Sequence, residues 1–204
     1  LEVPETILGD RSGGATDRTG KSFTVAAWIN MNQFTNGGYN NQGNVIMGHG
    51  ARAHINYNGS LVLATTTNGT LKIISGGGNT VSGNINATID LNTWTYLTLV
   101  YDNSDSSVKV YKDGTLVDSR NNGSQLTLFG DDPCIFFVGG AGFSGLCDEM
   151  QFYNKALTAD EVAQAYNNDP QGVSGLTAWY DFNEIESGTT GTFANKATGS
   201  AHAD

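Results

Sequence analysis

Cysteine is nearly absent from this 204-residue chain, which has only 2. That is too few for a disulfide framework or a four-cysteine zinc site. Proline is scarce at 3, and Lys and Arg total 10 against 20 Asp and Glu, for a net charge of −10 at pH 7. This deficit excludes the cationic face that neutralises phosphates, so nucleic acids, other polyanions and anionic membrane surfaces are not expected partners. No apolar run approaches the roughly 20 residues of a bilayer-spanning helix, and membrane insertion is not expected. The opening residues, Leu1-Glu2-Val3-Pro4-Glu5, have neither the basic nor the apolar region of a secretion signal. Any leader therefore lies upstream of Leu1.

What the chain has in quantity is glycine, 27 residues, together with much Asn, Ser and Thr. This composition suits many short strands joined by tight turns, and the length fits one large all-β domain. Residues 23–29 alternate Phe23, Val25, Ala27 and Ile29 with period two, as in a strand with one buried face. Val45-Ile46-Met47 is a short apolar strand. A hairpin is predicted from 54–57 through an Asn58-Gly59 turn into 61–63, because a type I′ turn requires positive φ at both central residues. The pattern weakens between Thr65 and Asn92, where 71–74 and 83–87 are candidate strands. A long strand at 94–101 leads through a polar turn to 108–111, and Asp113-Gly114 turns into 116–118 as a second hairpin. The run closes with 146–153. One helix is predicted near 159–167, with Thr158 as cap, Glu161 completing a capping box, and Leu157 with Val162 as hydrophobic staple. A last strand follows at 176–182. From Glu186 onward the small polar composition predicts a loosely held tail.

Four segments resemble, in order, the laminin-G-like and pentraxin-like domains of the concanavalin A-like lectin and glucanase superfamily. They are Phe-Thr-Val-Ala-Ala-Trp-Ile at 23–29, Trp94 through Tyr101-Asp102, Val110-Tyr111-Lys112-Asp113-Gly114, and Gly145-Leu146-Cys147-Asp148-Glu149-Met150-Gln151-Phe152-Tyr153-Asn154-Lys155-Ala156-Leu157 leading to Glu161-Val162. The resemblance implies an all-β, two-sheet antiparallel jelly-roll sandwich with one short connecting helix near 159–167. It implies one domain over 1–204, with its core at roughly 3–183, strand 176–182 closing the sandwich and a tail over 186–204. The closing segment also resembles the opening strand of a following copy, but an orphan strand would leave Leu176, Trp179 and Phe182 without a core. The family context is extracellular, cell-surface or periplasmic. No cofactor is required, although family members often bind calcium through oxygen ligands. Asp148 shares strand parity with Met150 and Phe152 and is expected to face inward. There a carboxylate needs backbone donors or an ion, so Asp148 is either a turn-fixing acceptor or a calcium ligand. Cys134 and Cys147 bracket what reads as strand, glycine-rich turn and strand. They are either a disulfide closing that hairpin, in keeping with the extracellular context, or two buried free cysteines.

Many superfamily members hydrolyse glycans, and the retaining glucanases among them carry alternating carboxylates, Glu-x-Asp-x-(x)-Glu, on one strand. Glycosidases need two carboxylates about 5 to 10 Å apart, and this chain has no such array. Glu2 and Glu5 lie at the N-terminus, Glu161 caps the helix, and Glu184 and Glu186 lie in the tail. Glu149 has only Asp148 beside it, on the opposite face if strand alternation holds. His49 and His54 have no nucleophile elbow and read as strand-end or loop residues. The expectation is a non-catalytic recognition module for carbohydrate or a surface glycoprotein. The alternatives are a structural spacer or adhesion domain, and a divergent glycan hydrolase or lyase. Sugar recognition needs an exposed aromatic beside amides and carboxylates, and two loops offer candidates. Phe34, Tyr39, Asn40, Asn41 and Gln42 lie in one, and Asn121, Asn122, Asp131 and Asp132 in the other, although turns favour Asn and Asp on their own account. Trp28, Trp94 and Trp179 sit inside strand motifs and read as packing residues.

Overall fold

The computed structural model describes residues 2–3, 21–35, 43–50, 60–76, 81–122, 135–167, 169–183 and 195–197. In chain order the strands are β1 (Glu2–Val3), β2 (Phe23–Met31), β3 (Asn44–Gly50), β4 (Leu61–Thr65), β5 (Thr70–Ser75), β6 (Gly83–Thr88), β7 (Thr95–Asp102), β8 (Ser107–Lys112), β9 (Thr115–Asn121), β10 (Ile135–Val138) and β11 (Gly145–Tyr153). Helix α1 (Ala159–Tyr166), a 3-10 turn at Pro170–Gly172 and β12 (Leu176–Tyr180) complete the regular structure of the described residues. The strands form two six-stranded sheets, ordered β1-β10-β3-β4-β5-β6 and β12-β11-β2-β7-β8-β9. All pairings are antiparallel. The chain thus adopts the expected two-sheet sandwich with one short helix.

Alternation explains which side chains meet between the sheets, because successive residues of a strand point to opposite faces. Phe23, Val25, Ala27, Ile29 and Met31 of β2 all enter one core with Leu97 and Leu99 of β7, Leu61 and Leu63 of β4, and Met150 and Phe152 of β11. Phe23 packs on Tyr101 with ring centroids 5.7 Å apart, and truncating such a fully buried aromatic costs about 3–5 kcal/mol.

The outer face of the second sheet is covered by α1. Glu161 N donates to Thr158 Oγ1 at 3.3 Å, and Thr158 N donates to Glu161 Oε2 at 3.0 Å, which is the expected capping box. Such a cap contributes about 1 kcal/mol. Val162 and Ala165 seat on Val100, Tyr111 and Tyr153, with Leu157 and Val173 alongside. Along β2, the outward-facing Thr24 and Ala26 are buried, whereas Trp28 and Asn30 further along the same face are only half-buried. The helix therefore leaves the far end of this face open.

The Asp113-Gly114 hairpin forms as its sequence predicts, with φ of 49° and 75° at the two central residues. β4 has β3 on one side and β5 on the other, with Leu61 opposite His49 and Thr65 opposite Asn44. Segment 54–57, expected as its hairpin partner, lies outside the described residues. β10 belongs to the first sheet and β11 to the second, so the glycine-rich turn between them carries the chain from one sheet to the other. Cys147 is a free cysteine with its Sγ 3.9 Å from Met150 Sδ, and Cys134 lies outside the described residues. Burial pushes the Cys147 thiol up, away from the reactive thiolate.

Residues 195–197 depart from the loosely held tail. Lys196 N donates to Trp179 O at 2.8 Å, Trp179 N donates to Asn195 Oδ1 at 2.9 Å, and Asn195 Nδ2 donates to Thr177 O at 3.1 Å. These bonds occupy main-chain groups on the edge strand β12 that water or another strand would otherwise take.

Candidate functional site

β11 loses its regular alternation where its carboxylates lie. Asp148 opposes Trp28, but the next paired residue is Gln151, opposite Ala26. Glu149 and Met150 together face Ala27, two residues against one, which is a β-bulge. Glu149 has φ of 50°, a left-handed conformation uncommon for any residue but glycine. The extra residue reverses parity. Cys147 and Met150 both pack on the core, while Asp148 shares the outer face with Trp28, since directly paired residues point the same way. The inward Asp148 expected from alternation is therefore corrected, because the bulge interrupts the alternation on which it rested. Asp148 Oδ1 accepts from Glu149 N at 2.8 Å, which holds the bulge.

The bulge organises a strip across four strands on the open part of the face. Trp179 of β12 opposes Gln151, and its Nε1–H donates to Glu149 Oε2. Trp28 of β2, Tyr96 of β7 and Tyr166 of α1 form a triad with ring centroids 5.5–5.6 Å apart. Gln151 sits in the same face, buried, and its Oε1 accepts from Tyr96 Oη at 2.9 Å and from Tyr153 Oη at 2.8 Å. Burial raises both phenols, so each stays protonated and able to donate. One row nearer the sheet end, Leu146 opposes Asn30, and Trp94 immediately precedes Thr95, which opposes Ile29. Leu146 is 64% exposed and Trp94 43%.

Glu149 is the electrically unusual group. Burial pushes its carboxyl above the usual range, the Trp179 hydrogen bond pulls it back, and Asp148 and Asp181 push it up again. Asp148 and Glu149, expected on opposite faces, thus sense one another because the bulge turns Glu149 aside. Asp181 lies 3.7 Å from Lys196 Nζ. Among the described residues, no group of three or more His, Cys, Asp or Glu gathers as a metal site.

Of the loop residues expected from sequence, the structure describes Phe34 and Asn121 with its neighbour Asn122. Phe34 packs against the core beside Gly69, whose φ of +80° and lack of a side chain admit the ring; a Cβ there would lie 2.9 Å from it. Asn121 ends β9 opposite Ser107, and its amide donates to Asp105 O. Phe34 follows the end of β2 that bears Met31, whereas Asn121 lies at the Phe23 end, so the two occupy opposite ends of the sandwich. Tyr39, Asn40, Asn41, Gln42, Asp131 and Asp132 lie outside the described residues. Sequence reasoning missed the exposure of Trp94 and Leu146 and the outward turn of Glu149, whereas Trp28 packs on Tyr96 and Tyr166 as read. The available signal was an Asp-Glu pair interrupting an apolar strand, which is what a bulge looks like in sequence.

A two-sheet jelly roll bearing an aromatic and carboxylate strip on one face defines a lectin-like sandwich. Residues 11–163 match the laminin-G type of the concanavalin A-like lectin/glucanases superfamily, and the chain belongs to that family. No curated protein sequence matches it. Among solved structures, it resembles a Bacteroides ovatus protein assigned to carbohydrate binding, at 20% identity and a TM-score of 0.64. That match covers 91% of this chain and 51% of the other, so the chain spans about half of that protein. It also resembles domain 4 of an extracellular arabinanase from Geobacillus stearothermophilus, solved with arabinotriose, at 22% identity and TM-score 0.51, covering 80% and 70% of the two chains. A Trypanosoma rangeli sialidase matches at 17% identity and TM-score 0.54 over 76% of this chain and 24% of that one.

Proposed function

We propose that this chain is a non-catalytic carbohydrate-binding module that works in an extracellular, surface or periplasmic setting without requiring a metal. The observation that carries the reading is the strip on the second sheet, where the aromatic groups of Trp28 and Trp179 stand beside the hydrogen-bonding groups of Asp148 and Glu149, with the exposed Trp94 just before β7. Sugar rings have apolar C–H faces that lie on indole and hydroxyls that donate to carboxylates, so this combination is suited to them. Membership of a lectin superfamily and the likeness to a protein assigned to carbohydrate binding support it.

One observation favours a second reading. A carboxylic acid held above its usual pKa beside another carboxylate is the arrangement of a glycosidase acid and its partner, and Glu149 beside Asp148 has part of it. Binding remains the preferred reading because Glu149 is engaged by Trp179 on a sheet face. Incubating the chain with a broad polysaccharide panel, with and without calcium, tests both. Retention without new reducing ends or unsaturated products is expected. Turnover that survives repurification and is lost in Glu149→Gln would establish the hydrolase reading instead.

A further inference from the structure

The strip carries charge of one sign. Asp148 and Glu149 stand between Trp28 and Trp179, and Asp113 closes the β8–β9 turn with its Oδ1 2.9 Å from Tyr96 N. Among the described residues, four cations are held by other groups. Lys155 Nζ lies 2.6 Å from Glu161, Lys112 Nζ donates to Thr88 O at 2.9 Å, and Arg120 is shared among Asp118, Val81 O and Asn84 O. Lys196 faces Asp181. The whole chain adds a background of −10.

Resting on the glycan-binding reading above, we propose that the strip selects uncharged glycan chains and rejects those bearing carboxylates or sulfates. Ionised Asp148 and Glu149 only accept hydrogen bonds. A neutral sugar meets them with hydroxyl donors while its C–H face covers Trp28 or Trp94. A uronate, sialate or sulfate instead brings a second anion to a partly dehydrated surface, where like charges repel more strongly than in bulk water and, among the described residues, no guanidinium or ammonium of the strip is placed to pair with it. The site is also elongated. Trp179 on β12 and Trp94 beside β7 are separated by three strand spacings, about 14 Å, so the occupant is a chain running across the strands, not a single ring.

The test is binding to neutral arabinan, xylan and β-glucan beside polygalacturonate, alginate and heparin, at low and at 0.5 M salt (about a 4 Å screening length). The expected result is retention by at least one neutral polymer, nearly independent of salt, with acid-bearing polymers at least about tenfold weaker at low salt. Salt should narrow that gap, and so should the Asp148→Asn/Glu149→Gln double variant, checked for folding by circular dichroism. Equal or tighter binding of an acid-bearing polymer at low salt would overturn the selectivity while leaving the glycan reading intact. No retention by any polymer would overturn the glycan reading itself.

Discussion

Gln151 ties the candidate strip to the stability of the sandwich, and its removal has a computable consequence. The residue is 2% exposed, and its Oε1 is shared by the hydroxyls of Tyr96 and Tyr153 at 2.9 and 2.8 Å. Gln151→Leu keeps the volume but leaves two buried donors without this acceptor. Each buried unsatisfied donor costs about 1–3 kcal/mol, so the variant should lose about 2–6 kcal/mol. For a domain of this size, 1 kcal/mol moves Tm by roughly 2–4 °C, so thermal denaturation followed by circular dichroism should show a fall of about 4–24 °C. The triple variant Gln151→Leu/Tyr96→Phe/Tyr153→Phe removes the donors as well, and it should recover most of the loss, because apolar replacement of both partners is nearly neutral. An unchanged Tm in the single variant, or a triple variant no better than the single, would show that the two phenols find other acceptors and that this network is not what holds β11 under the helix.

Other consequences are more local. Asp148→Ala should cost less than about 1 kcal/mol in a melting experiment, since the side chain is half-exposed and its bond from Glu149 N closes only the bulge; a loss of several kcal/mol would restore an inward role. Trp94→Ala should lower affinity for a bound polysaccharide in affinity electrophoresis while leaving Tm nearly unchanged, because the ring is 43% exposed. Because burial holds the Glu149 carboxyl above its ordinary value, its ionisation opposes folding. Its penalty is absent below the unfolded pKa near 4.5 and grows as pH rises through the higher folded one, so lowering the pH from neutral toward 5 should stabilise wild type more than Glu149→Gln. Finally, Glu149→Gly and Glu149→Ala both remove the carboxylate and differ in tolerance of φ near 50°, so the glycine variant should be the more stable by about 1 kcal/mol in denaturant titration.

Features set by neighbouring residues were legible in the sequence. The Thr158–Glu161 capping box, the Asp113-Gly114 turn and the alternation of Phe23 through Ile29 each depend on a few adjacent side chains, and each forms as read. Pairing between distant strands was not legible in the same way. Asn58-Gly59 is a strong local turn signal, yet β4 pairs with β3 and β5, with Leu61 and Leu63 packed against the second sheet and Val62 and Ala64 against Val45 and Ile74. The glycine-rich link after β10 looks like a hairpin, but glycine supplies the freedom to cross between sheets as readily as to reverse within one. The site was hidden by the same limit. Period-two reasoning assigns faces only where the ladder is unbroken, and one extra residue at Glu149 moved Asp148 outward and left Trp28 and Trp179 flanking it.

That extra residue also explains how one strand serves two purposes. On its inner side the bulge brings Cys147 and Met150 onto the core without a gap, so the apolar interior stays continuous. On its outer side it spreads Asp148 and Glu149 where α1 has ended, and Tyr166, the last residue of that helix, reaches over to clamp Trp28 against Tyr96. Trp28 is therefore fixed by contacts that fold the domain, and a bound sugar need not order it. A preorganised surface loses less entropy on binding than a mobile loop would. The same arrangement links occupancy to stability: whatever seats on this strip binds the folded state alone and must raise Tm with its concentration, while a polymer recognised elsewhere on the chain would do so without disturbing the indole of Trp28.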